Sequence, residues 1–115
     1  MLLAQRQNRP ATPAPPSPSK PRLQPKVTIV DWTNTNSFGY CIVKGFVRND
    51  GAATAYWVET VVKGLDAEGN LVDLANGFTN PIHVPIGREA TFESMLKGEE
   101  RIKDLKLSVT WKAEE

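Results

Sequence analysis

The stretch DLKLSVTWK, residues 104–112, alternates without a break. Leu105, Leu107, Val109 and Trp111 point one way; Lys106, Ser108, Thr110 and Lys112 point the other. A period of two is the mark of a strand with one dry face and one wet one. Working back from it, the same period recurs. AYWVETVV (55–62) places Tyr56, Val58, Thr60 and Val62 on one face, and YCIVKGFV (40–47) does so with Cys41, Val43, Gly45 and Val47. VTIVDW (27–32) opens with β-branched residues and is followed by the turn-like TNTNSFG (33–39). NLVDLANGF (70–78) reads as a shorter strand, and TNPIHVPIGREATFESML (79–96) sets two prolines around a turn before another strand through Phe92. In LKGEERIKDL (96–105) there is room for a single helical turn. Six or seven short strands separated by turn signals predict an all-β, antiparallel sandwich.

Two breaks between strands carry their own chemistry. NDG (49–51) is expected to close a strand, because Asn, Asp and Gly accept the positive φ of tight turns. LDAEGNL (65–71) joins two strands of matching apolar pattern, so Asp66, Asn70 and Gly69 are expected to form a hairpin turn. The competing reading is a calcium or small-ligand site built from the acidic turns around Asp66 and Asp73. An EF-hand loop counted from Asp66 needs glycine sixth and glutamate twelfth, whereas Gly69 falls fourth and Gly77 stands twelfth.

Composition divides the chain near residue 26. Seven of the nine prolines lie at or before Pro25, in NRPATPAPPSPSKPRLQPK (8–26), interleaved with Ala, Ser and Thr. Proline fixes φ and donates no backbone hydrogen bond, so residues 1–26 are expected to form a disordered or polyproline-II arm, with the sandwich spanning 27–115. The arm carries five basic residues and no acid; the remainder has nine basic against thirteen acidic residues, a net charge of −4. A mildly acidic domain lacks the footprint of a nucleic-acid binder. No apolar run approaches the ~20 residues of a membrane-spanning helix, and MLLAQRQ has too few apolar residues for a signal peptide.

Three stretches in order, VKGFVRNDG (43–51), VETVVKGLDAEGNLV (58–72) and VPIGREATFE (84–93), resemble the FxLYD family of bacterial and archaeal domains. The likeness covers nearly the whole strand-rich part. The name-giving positions read Val62-Lys63-Gly64-Leu65-Asp66, of which Asp66 matches, while Gly64 stands where the family has a large side chain. The resemblance implies a small immunoglobulin-like sandwich carried beyond a membrane anchor and a flexible linker, hence an extracytoplasmic or cell-surface setting. It implies no catalytic residues and no cofactor.

Residues with a chemical case are few. His83 is the sole histidine and Cys41 the sole cysteine, so neither a disulfide within the chain nor a CxxC site can form. A Cys41–His83 nucleophilic pair is formally available, but Cys41 lies in phase with Val43 and Val47 and is expected to be an inert core thiol. The more informative anomaly is apolar side chains in the outward phase: Ile42 and Phe46 beside Lys44 and Arg48, and Trp57 and Val61 beside Glu59 and Lys63. A covered Phe or Trp buries about 150–250 Å². Leaving such residues outside predicts either a covering loop, an edge bulge that shifts the phase or scattered surface hydrophobes, or a contact surface for another protein, a second copy or a glycan. The expectation is therefore a non-catalytic interaction or spacer module without metal, cofactor or nucleic acid.

Overall fold

A computed structural model describes residues 23–115. The expected disordered arm lies, as far as Arg22, outside the described residues. Among these, six strands form: β1 (Val27–Ser37), β2 (Tyr40–Asn49), β3 (Tyr56–Leu65), β4 (Leu71–Phe78), β5 (Glu89–Lys97) and β6 (Asp104–Lys112). All pairings are antiparallel, in two three-stranded sheets of order β1-β2-β5 and β4-β3-β6. The chain crosses between sheets after β2, β4 and β5, as an immunoglobulin sandwich does when its A-B-E strands face C′-C-F. The all-β sandwich is thus present with six strands, and the helical turn allowed at 96–105 is a 3₁₀ turn at Glu99–Arg101.

Alternation fills the space between the sheets. Val27, Cys41, Val43 and Val47 meet Val58 and Val62, with Ala90, Phe92 and Leu96 from β5. Along β5 every second residue is buried, from Ala90 through Leu96. Leu105, Leu107, Val109 and Trp111 close the core from β6, while Lys106, Ser108, Thr110 and Lys112 are exposed. Each buried valine or leucine contributes about 1.5–3 kcal/mol by leaving water.

Four local readings need correction. TNTNSFG is not a loop: β1 runs on to Ser37, and Phe38 and Gly39 alone make the turn, with φ of 53° and 83°. Positive φ at both central residues is the two-residue hairpin geometry that matches strand twist. The polar run Thr33–Ser37 is tolerated because β1 is an edge strand and these side chains face water.

NDG does not turn by positive φ either; none of the three residues takes the left-handed conformation. Asn49 is fully buried and works as a clamp. Its Nδ2 donates to the carbonyls of Ala53 (2.7 Å) and Val84 (2.9 Å), and its Oδ1 accepts from the N–H groups of Gly51 (2.9 Å) and Lys26 (3.2 Å). Gly51 is needed for room, since a Cβ there would collide with the backbone of Gln24, Pro25 and Lys26. That segment docks: Ala52 N–H donates to Gln24 O (2.7 Å) and Asp50 N–H to Lys26 O (2.8 Å), and Pro25 is buried. Order therefore begins before Val27, inside the stretch assigned to the arm.

Tyr56 is out of the expected phase. Between β3 and β6, Tyr56 pairs with Lys112 and Glu59 with Thr110, so Trp57 and Val58 together oppose Trp111. This one-residue bulge turns Tyr56 to the outer face with Glu59, leaving Val58, Thr60 and Val62 inside.

At Gly64 the space a side chain would take is filled from elsewhere. A Cβ on Gly64 would stand 2.8 Å from Ile102 Cδ1, so Ile102, just past the 3₁₀ turn, occupies that space.

Candidate functional site

The bulge that displaces Tyr56 also builds the most unusual surface among the described residues. Trp57 has φ of 53°, a left-handed conformation that glycine ordinarily supplies at such bulges. For a bulky residue this is a true outlier, costing about 1–2 kcal/mol. The surroundings hold it there. Trp57 N–H donates to His83 Nδ1 (3.2 Å), and the two rings meet edge to face at 5.0 Å and 89°. On the other side the indole meets Phe78 at 6.1 Å and 62°. Tyr56 packs on His83 as well, at 5.1 Å.

His83 is placed by backbone pairing. The loop after β4 runs beside the start of β3, with Ala55 and Val84 exchanging hydrogen bonds (2.9 and 2.8 Å) and Val58 N–H donating to Ile82 O (2.9 Å). Asn80, which precedes its proline through a cis bond, exchanges two further bonds with Thr91 at the edge of β5. Because Nδ1 of His83 accepts from Trp57, the neutral imidazole carries its proton on Nε2, which lies 3.6 Å from Glu115 Oε2.

Together these residues leave an open slot of about 360 Å³ on the outer face of the second sheet, walled by Trp57 and Phe78 with Glu59, Thr110 and Lys112, and bordered by Trp111, whose side chain packs inward against the core. Trp57 is 40% exposed and Phe78 56% exposed, so the two rings present surface to solvent while their edges are fixed. Glu59 is oriented from the neighbouring strand, accepting from Asn76 Nδ2 at 2.7 Å.

The four residues singled out from sequence do not converge. Ile42 and Phe46 lie on the outer face of the first sheet, where Ile42 pairs with the exposed Met95 and Phe46 with Thr91. Trp57 and Val61 lie on the outer face of the second. Val61 is half-buried between Asn76 and Ser108 and takes no part in the slot. Only Trp57 of the four lines it. Phe78, His83 and Trp111 were not among them. A signal for Phe78 existed, since Leu74, Asn76 and Phe78 keep one phase in β4 and Phe78 falls opposite Glu59.

The acidic turn folds around its own carboxylate. Asp66 Oδ1 accepts from Glu68 N–H (3.0 Å) and Asn70 N–H (2.8 Å), Gly69 N–H bonds Asp66 O (3.0 Å), and Gly69 has φ of 85°. These N–H donors, Asn70 first, hold the Asp66 carboxyl below its usual pKa. Asp73 is held down likewise, by Lys97 N–H at 2.7 Å, on a different strand edge. Among the described residues no group of three His, Cys, Asp or Glu side chains is placed to hold a metal ion.

Cys41 is buried, and burial pushes its thiol pKa up, away from the thiolate. It sits beside a polar cleft of about 300 Å³ under Asn34, Asn36 and Lys103. His83 lies at the far end of β2, where Asn49 bonds Val84 O. Eight strand residues from Cys41 to Asn49 span about 27 Å. The formal Cys41–His83 pair is not assembled.

Comparison with family models, with curated proteins and with solved structures returns no match for this chain.

Proposed function

We propose that the chain is a non-catalytic β-sandwich interaction module of the FxLYD type, which contacts another protein through the slot at Trp57 and Phe78. One observation carries the reading: a tryptophan occupies a left-handed bulge position where glycine would fit without strain, and its ring is left partly in water. Backbone strain of this kind persists where the surroundings over-determine it, and such sites cluster at ligand clamps. Fixed, partly exposed aromatic rings beside a few polar groups are the anchors that dominate protein contacts. The motif order shared with FxLYD domains supports the family reading and, with it, display outside the cytoplasm. The calcium or small-ligand alternative at Asp66 and Asp73 has less behind it, since both carboxylates are engaged by backbone N–H groups.

A paired substitution tests the proposal. Trp57→Ala with Phe78→Ala is expected to keep the wild-type circular-dichroism spectrum and a cooperative melt, and to lose the companions that the wild-type chain carries from its native cells. A folded double variant that keeps those companions overturns the reading.

A further inference from the structure

We propose that the polar cleft between β1 and β6 is a second binding site, separate from the Trp57–Phe78 slot, and that it takes a neutral pyranose sugar, free or at the end of a polysaccharide.

A bulge in β1 builds the site. Val27 and Ile29 face the core, and unbroken alternation would bring Asp31, Thr33, Thr35 and Ser37 inward after them. The register slips between Ile29 and Asp31, so Trp32, Asn34 and Asn36 instead stand opposite Gly45, Val43 and Cys41, on the core side of the sheet. Bulges re-aim side chains in this way beside functional sites. Gly45 makes room for the indole, since a Cβ there would come within 2.8 Å of Trp32 Cβ. Inner-face positions of a sandwich ordinarily interdigitate with the facing sheet. Here an exposed tryptophan and two exposed asparagines face Glu99, Lys103 and Asp104 across about 300 Å³ of open space. The cleft lies at the Asp104 end of β6, and the slot at the Lys112 end.

The polar groups of the cleft are uncommitted. Among the described residues, the side chains of Asn36, Glu99 and Lys103 make no hydrogen bond or ion pair, and Asn34 Nδ2 reaches only the Cys41 sulfur, at 4.0 Å. A thiol sulfur is a weak acceptor. Two amides, two carboxylates and one ammonium therefore present donors and acceptors side by side. A hydroxyl is one donor and two acceptors, so a ligand dense in hydroxyls satisfies both kinds without carrying charge. An anion would meet two carboxylates against one ammonium. A pyranose also has an apolar face of polarised C–H groups, which the negative face of an indole such as Trp32 attracts. The volume stands at the low end of ligand pockets, about 300–1,000 Å³, and so admits one or two sugar rings.

The test titrates the full chain with glucose, galactose, mannose, N-acetylglucosamine, cellobiose and chitobiose, into the tens of millimolar, with glutamine as a charged control of similar size. Indole N–H and side-chain amide signals are followed by ¹H–¹⁵N correlation spectroscopy. At least one sugar is expected to shift Trp32, Asn34 and Asn36 saturably, while Trp57 and Trp111 stay. Tighter binding of a disaccharide than of its monosaccharide assigns the site to a polysaccharide end; equal binding assigns it to free sugar. Asn34→Ala with Asn36→Ala, two exposed positions on an edge strand, is expected to weaken the Trp32 response about tenfold, since each lost hydrogen bond is worth about 0.5–1.5 kcal/mol. No sugar moving Trp32, an equal response to glutamine, or an undiminished response in the double variant would each overturn the proposal.

Discussion

The main-chain N–H of Trp57 is bound by the side chain of His83, 26 residues further on, at 3.2 Å. This contact ties a strained strand position to a loop and fixes the aromatic slot between them. If the left-handed backbone at Trp57 is imposed by that framework, the usual ranking of residues in a strand reverses there. Glycine ordinarily weakens a strand relative to alanine, but a Cβ in the left-handed region costs about 1–2 kcal/mol. Trp57→Gly is expected to be more stable than Trp57→Ala by about 1 kcal/mol, measured by urea denaturation. The opposite order would mean that the bulge relaxes once the indole is gone.

Asn49 joins three segments from a position without solvent access. Asn49→Ala strands the Ala53 carbonyl and the Lys26 and Gly51 N–H groups, while the Val84 carbonyl keeps its bond from Ala55 N–H. Each unsatisfied buried group costs about 1–3 kcal/mol, with partial relief by water at the loop end. A loss of about 3 kcal/mol is expected by chemical denaturation. A loss below about 1 kcal/mol would show the clamp to be dispensable.

Gly64 and Ile102 share one volume. Gly64→Ala places a methyl 2.8 Å from Ile102 Cδ1, an overpacking that costs about 1–3 kcal/mol. Ile102→Val removes that terminal methyl at a cost of about 0.5–1.5 kcal/mol. The double variant is expected to lose less than the sum of the two, a coupling that a double-mutant cycle reads directly. Strict additivity would place Ile102 elsewhere.

Acid sensitivity follows from three carboxylates. Asp50 is held below its usual pKa by hydrogen bonds from Arg48 and Thr28, Asp66 by the N–H groups of Asn70 and Glu68, and Asp73 by that of Lys97. A depressed folded pKa gives stability that is present above the unfolded value and lost as pH falls through the folded one. Melting temperature should therefore fall below about pH 4, where unfolded carboxyls take up protons. Asp66→Asn should flatten that fall; an unchanged acid limb would remove the turn from the account.

The strands were legible because burial on one face forces a period of two, as in Leu105–Trp111 and Ala90–Leu96. The turn at Asp66 was legible because its side chain and Gly69 solve a local problem. What escaped was long-range or register-dependent. A bulge inserts a residue without changing composition, so Tyr56 looked like an inward residue. His83 acquires its role from a loop that pairs with β3 across the fold, and nothing near it in sequence points to Trp57. Asn49 looked like a turn former because the groups it binds come from Lys26 and Val84. The exposed polar run Thr33–Ser37 resembled a loop because an edge strand needs no apolar face at its end.

The central claim is that Trp57 and Phe78 form the surface this domain uses to meet a partner. Replacing Phe78 by the photoreactive p-benzoylphenylalanine in the native cell tests it most directly, with Phe38 as the control. Phe38 is 99% exposed at a hairpin tip built by the other end of β2. The account predicts covalent adducts to a partner from position 78 and none from position 38. No adduct at 78, or equal yields at both positions, would contradict it.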